Sequence, residues 1–189
     1  MADFKTAFAA TMNIEGGYEN DKDDSGGETY AGISRNNWPN WAGWSAVDHM
    51  KQTPNFPGNL DQSTIIRQLV ESFYKTNFWD VLDLDSVTGQ PIANELFDLS
   101  VNCGVQTAGK FAQRAANALN DDGKKWGDIA VDGVVGLATI RAINTANQSD
   151  LLKCIIALQG AAYILICEKN NKQEKFMAGW IRRAFKQLA

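Results

Sequence analysis

Apolar residues recur at helical spacing almost from end to end of this chain, and that recurrence restricts the fold to a mainly α architecture. Phe4, Ala7, Phe8, Thr11 and Met12 share one helical face, with Asp3 placed as N-cap. Asp61 can cap a helix whose apolar face carries Ile65, Ile66, Leu69, Val70 and Phe73. Pro91 suits the first turn of a helix with Ile92, Leu96 and Phe97 on one side. A further helix covers roughly 106–119 through Ala108, Phe111, Ala112, Ala115 and Leu119, and another runs near 137–146 after an Asp-Gly turn. Ser149 is placed to cap the next, to about 168, which is apolar nearly all round and is expected at the centre. The last, about 172–188, turns Phe176, Trp180, Phe185 and Leu188 inward. Between the first two helices lies a loop rich in Trp and Pro, with Trp38, Pro39, Trp41 and Trp44. Its aromatics either pin the loop to the core or stack on sugar rings.

One stretch breaks the helical period. Gly16-Gly17 stops the first helix, and an acid-rich loop follows with Asp21, Asp23, Asp24 and Glu28. Glu15 then falls in the last helical turn, where partial negative charge disfavours a carboxylate and raises its pKa. Such a group suits general acid catalysis; the alternative is a plain surface residue. The crowded carboxylates need relief by metal, substrate or solvent. An EF-hand loop requires a bidentate Glu at its end, and Gly32 stands there instead, so calcium is rejected. Gly26-Gly27 before Thr29, Tyr30 and Ile33 predicts a small β-hairpin near 24–34.

Composition narrows the chemistry. The 189 residues are 44% hydrophobic and carry a net charge of −4, which argues against nucleic acid. Lys172, Lys175, Arg182, Arg183 and Lys186 gather near the end and read as a solvated helix face, with a wall-binding patch as the alternative. Cys103, Cys154 and Cys167 show no metal spacing and read as free thiols from a reducing cytoplasm, with Cys154 and Cys167 buried. His49 is the only histidine. That leaves a zinc site built on several histidines without ligands and a Ser-His-Asp or Cys-His site without support. No metal or other cofactor is expected. The apolar run Cys154 to Cys167 is too short to span a bilayer, so no stable membrane insertion is expected. The N-terminal residues lack a signal-peptide pattern, which predicts synthesis in the cytoplasm.

Four motifs then carry a resemblance. Glu15-Gly16-Gly17-Tyr18 with Asn20, Asp21, Asp24, Gly26, Gly27 and Thr29, closed by Gly32-Ile33-Ser34, is the longest. Phe97-Asp98 with Val101-Asn102 and Gly104, Val131-Asp132-Gly133 with Gly136 and Thr139, and Phe176 with Gly179-Trp180 and Arg183 follow in order. Together they resemble glycoside hydrolase family 108, lysozyme-like N-acetylmuramidases of phages, prophages and bacterial secretion loci.

The resemblance implies a lysozyme-like helical fold and cleavage between N-acetylmuramic acid and N-acetylglucosamine in peptidoglycan. It implies Glu15 as catalytic acid, Asp24 as second carboxylate with Asp21 as the alternative, and Thr29 close behind. Tyr18, Asp21, Tyr30, Asp98 and Asn102 are then expected to contact the glycan. For Asp98 and Asn102 a locally capped helix end is the alternative. The chain is expected as one compact unit and a monomer, with a catalytic lobe over 1–95 and a helical lobe over 96–189 that resembles a peptidoglycan-binding module. Action on the wall then follows export by a holin, secretion machinery or cell lysis. A lytic transglycosylase and a non-catalytic wall binder are the competing readings.

Overall fold

The computed structural model describes residues 1–12, 17–20 and 27–188, apart from the Gln187 side chain. Among them are eight α-helices and one three-stranded antiparallel sheet, the mainly α, lysozyme-like arrangement expected. The chain forms two compact units, residues 8–77 and residues 1–7 with 78–189.

Helix α1 (Phe4–Met12) starts on the predicted cap: Asp3 Oδ1 accepts from the Thr6 backbone N–H at 2.8 Å and from its hydroxyl at 2.7 Å. Within the 8–77 unit follow strands β1 (Tyr18–Glu19), β2 (Thr29–Tyr30) and β3 (Ile33–Ser34). Helix α2 (Gly43–Met50) stands in what the sequence suggests is loop. Trp44 and Val47 are the buried anchors of this short helix.

Helix α3 (Thr64–Tyr74) is capped by Ser63, whose Oγ accepts from the Ile66 N–H at 3.3 Å, and not by Asp61. Ile66, Val70 and Phe73 are buried, while Ile65, expected inward, is 67% exposed. The loop aromatics divide their roles. Trp44 is buried and its Nε1 donates to the Trp38 carbonyl at 2.8 Å, which pins the loop, whereas Trp38 stays exposed.

The other unit is built from helices α4 (Gln90–Cys103), α5 (Val105–Ala118), α6 (Leu137–Thr145), α7 (Gln148–Lys169) and α8 (Glu174–Ala184). Phe4, Trp79 and Phe97 meet edge to face with centroids 5.6–5.9 Å apart in its core. The Val-Asp-Gly motif is structural. Asp132 Oδ1 accepts from the buried Gln113 Nε2 and from the Val134 N–H, both at 2.8 Å. Gly133 has φ +85° and packs so closely on Gly109 of α5 that a Cβ on either residue would overlap backbone.

Three expectations need correction here. Asn147, not Ser149, caps α7, accepting from the Asp150 N–H at 3.1 Å. Helix α7 packs on α4, α5, α6 and α8 but leaves Ile164, Leu165 and Ile166 exposed, so it is not enclosed on all sides. It is also longer than its apolar run. At 22 residues it is long and apolar enough to cross a membrane, with 44% of its most apolar window buried inside the protein. On α8, Phe176 is exposed, as are Phe185 and Leu188 beyond it, and Ala184 is the buried contact. A short 3-10 turn (Asn171–Gln173) precedes α8, so the expected helix at about 172–188 begins at Glu174.

Candidate active site

The β2–β3 connection is the two-residue turn Ala31-Gly32, with φ +47° and +76°. Positive φ at both positions matches the strand twist of a tight hairpin. The non-glycine Ala31 is held there from two sides. Its N–H donates to the Gly17 carbonyl at 3.3 Å, and its carbonyl accepts from the buried Tyr74 hydroxyl at 2.8 Å. The sheet register sets Tyr18 opposite Tyr30 and Glu19 opposite Thr29, so three of the sequence-predicted site residues come together.

Each of these has a defined setting. The Thr29 hydroxyl donates to the Gly27 carbonyl at 3.2 Å. The Tyr18 ring meets Phe56 edge on at 4.6 Å between centroids. Burial pushes its phenol pKa up, and the Glu28 carboxylate beside it adds to the shift. Tyr30 donates its hydroxyl to Asp61 Oδ1 at 3.2 Å. Burial first, then the Asp61 charge, push the Tyr30 phenol up to about 12. That bond is the role Asp61 takes in place of helix capping.

Part of the acidic crowd is neutralised by the protein itself. Glu28 lies 3.0 Å from Arg35 Nε and 2.6 Å from Lys51 Nζ. Arg35 in turn donates to both oxygens of Asp48, at 2.7 and 3.0 Å, and its guanidinium lies 4.4 Å from the Trp44 ring centroid. The Arg35 hydrogen bonds, aided by Lys51, hold the Asp48 carboxyl at about 2. For Glu28, the expected relief by metal, substrate or solvent is therefore replaced by two cations that bind the hairpin to α2.

A groove of about 340 Å³ opens beside this sheet. Met12, Gly17, Tyr30, Asp61 and Arg67 are among its lining residues. Met12 and Gly17 are the described residues on either side of Glu15 in the chain. Glu15 itself, with Asp21 and Asp24, lies outside the described residues. The groove thus presents a buried phenol bonded to a carboxylate, with a guanidinium on the same wall.

Asp98 and Asn102 belong to the other unit, one helical turn apart on α4. Asn102 Nδ2 donates to the Asp98 carbonyl at 2.6 Å and to its carboxylate at 3.3 Å. The Asp98 carboxylate is clamped by Arg183, which donates from Nε at 3.1 and 3.0 Å and from Nη2 at 3.0 Å. Arg183 therefore leaves the solvated face on which the basic cluster was expected, while Lys172, Lys175, Arg182 and Lys186 remain exposed.

One turn before Asp98 sits a group that the sequence reading missed. Glu95 is 1% exposed, and its Oε1 has no hydrogen-bond partner among the described residues. Burial, then the neighbouring Asp98 charge, push its carboxyl up to about 8, against the opposing pull of Arg183. The sequence hint is faint: a Glu in line with Ile92, Leu96 and Leu99 on a buried face. Cys103 and Cys154 are half-buried and Cys167 is buried, all as free thiols. Burial raises the Cys103 pKa, which leaves it a poor nucleophile.

Comparison with known proteins adds an independent line. A family model described as glycosyl hydrolase 108 matches residues 8–104, and one described as a predicted peptidoglycan domain matches 107–185. The structure of Brucella abortus SagA superposes with a TM-score of 0.65 at 20% identity, over 97% of this chain and 90% of that one. At that identity the likeness speaks for the fold. No curated protein matched the sequence.

Proposed function

This chain belongs to the glycosyl hydrolase 108 family, and from that premise we propose that it is an N-acetylmuramidase of lysozyme type with Glu15 as its catalytic acid. Glycoside hydrolysis is the reaction of the family, and the peptidoglycan domain over 107–185 makes the wall glycan its substrate. The reading is carried by the Glu15-Gly16-Gly17-Tyr18 run inside the family match, whose described flanks, Met12 and Gly17, line the groove beside Tyr30 and Asp61.

In this reaction the Glu15 carboxyl gives its proton to the glycosidic oxygen as the C1–O bond breaks. Positive charge develops at C1 and is met by a carboxylate, assigned to Asp24 with Asp21 as its substitute. Water then adds at C1, and its proton is taken up by a carboxylate. The Thr29 hydroxyl donates to Gly27, so its lone pairs face the role of acceptor for that water. Tyr18 and Tyr30 are neighbours across β1 and β2; the half-buried Tyr18 ring supplies an apolar face for the sugar chain, and the buried Tyr30 meets it only at the groove wall. Asp98 and Asn102 are kept as glycan contacts only through the polar edge that Arg183 leaves them. Delivery to the wall through a holin, a secretion system or lysis belongs to the same proposal, as does a lytic role for a phage or prophage.

The test is product analysis on purified wall. Borohydride-reduced fragments should end in reduced muramic acid. Ends in reduced glucosamine or anhydromuramic acid refute the muramidase type. Glu15→Gln should lose hydrolysis at an unchanged thermal melt, and full activity in that variant removes Glu15 from its role.

A further inference from the structure

A second groove of about 420 Å³ lies in the 8–77 unit between residues 37–42 and helix α3. It uses a different helical face from the groove beside Tyr30. Of the α3 residues that line this one, Leu69 and Ser72 lie about 100° and 160° around the helix from Val70, which lines the other groove with Arg67, and Phe73 lies about 60° from it.

The chemistry of the lining is selective. None of its described lining residues is charged. Trp38 and Trp41 provide the aromatic surface, with Trp38 38% exposed. The Trp38 ring stands edge on against Phe73, with centroids 4.8 Å apart and planes at 89°. The Trp38 ring is held by Phe73 and its backbone by the Trp44 indole, which donates to its carbonyl at 2.8 Å, while the Trp41 indole donates from Nε1 to the Leu69 carbonyl at 3.4 Å. A surface ordered before the ligand arrives loses little entropy on binding. Around the rings stand Asn40, Ser72 and Thr76, exposed and without side-chain hydrogen bonds among the described residues. Amides and hydroxyls both donate and accept, as do the hydroxyl and N-acetyl groups of a sugar.

We propose that this groove is a second saccharide site, which binds the neutral N-acetylhexosamine backbone of the glycan rather than its charged peptide stems. The proposal rests on the reading of the chain as a glycan-cleaving enzyme, and it adds a hold on the strand apart from the cleft that cuts it. Flat indoles suit the apolar face of a pyranose ring, and the uncharged lining gives no counter-ion to a stem carboxylate. Desolvating that carboxylate there is unfavourable.

The probe is chitotetraose, titrated into the full-length ¹⁵N-labelled protein while the indole N–H signals of Trp38 and Trp41 are followed. The expected result is a saturable shift of both. Affinity should fall about tenfold in Trp38→Ala, as for truncation of an aromatic anchor. Ser72→Arg fills the groove from an exposed helix position without touching the core, and should fall similarly. Indole signals that stay still while signals near Tyr30 move overturn the second site and leave the enzyme reading intact. Shifts caused by a free stem peptide and not by the tetrasaccharide also overturn it. Shifts by chitotetraose in a protein that leaves wall glycan uncut support the site and refute the enzyme reading.

Discussion

Glu95→Gln tests whether the α4 core holds a proton that its unfolded chain gives up. Gln keeps the shape of the side chain and cannot ionise. In the folded protein the Glu95 carboxyl lies near 8, against 4.5 in an unstructured chain. Below pH 4.5 both states are protonated, and the group contributes its full share of stability. As pH rises the unfolded chain releases the proton first, so stability falls until the folded group also ionises near 8. Each pH unit in that window removes about 1.4 kcal/mol. The whole window, from 4.5 to about 8, removes about 5 kcal/mol, a large part of the roughly 5–15 kcal/mol typical of a folded domain. Urea midpoints by circular dichroism at pH 5 and pH 8 measure it. The wild type should lose far more stability between the two than Glu95→Gln. Parallel pH dependence in the two proteins refutes the assignment of a buried, neutral Glu95.

The Asp98–Arg183 pair gives a second expectation. Its side chains are 12% and 17% exposed, so Arg183→Met leaves a buried carboxylate unpaired and should cost about 3–5 kcal/mol. Adding Asp98→Asn should recover part of that loss in a thermal melt, and strictly additive losses would refute the coupling. At the hairpin, Tyr74→Phe removes the donor to the Ala31 carbonyl. It should cost about 1 kcal/mol in chemical denaturation and speed amide exchange in 29–34, while unchanged exchange would detach Tyr74 from the turn.

Local spacing and tertiary contact divide the account of this protein between them. The helices at 4–12, 90–103, 105–118 and 137–145 are legible because a 3.6-residue period acts within a few positions, joined at the first by the Asp3 cap and at the second by Pro91 in its first turn. The motif around Glu15, which falls within the glycosyl hydrolase 108 match, is likewise written in adjacent residues. Contacts made across the fold leave no such mark. Nothing near Glu28 announces Lys51, and Arg183 reaches Asp98 across 85 residues of sequence. Asp61 bonds Tyr30 while Ser63 caps α3, and Ile65 faces water beside the buried Ile66. The turn falls at Ala31-Gly32 because Tyr74 and Gly17 hold a non-glycine residue at positive φ. Sequence by itself thus determined most of the helical segments, α2 apart, and the family to which the chain belongs. Only the tertiary structure decided which charges are neutralised and which apolar residues are covered, because both depend on partners that chain proximity does not supply.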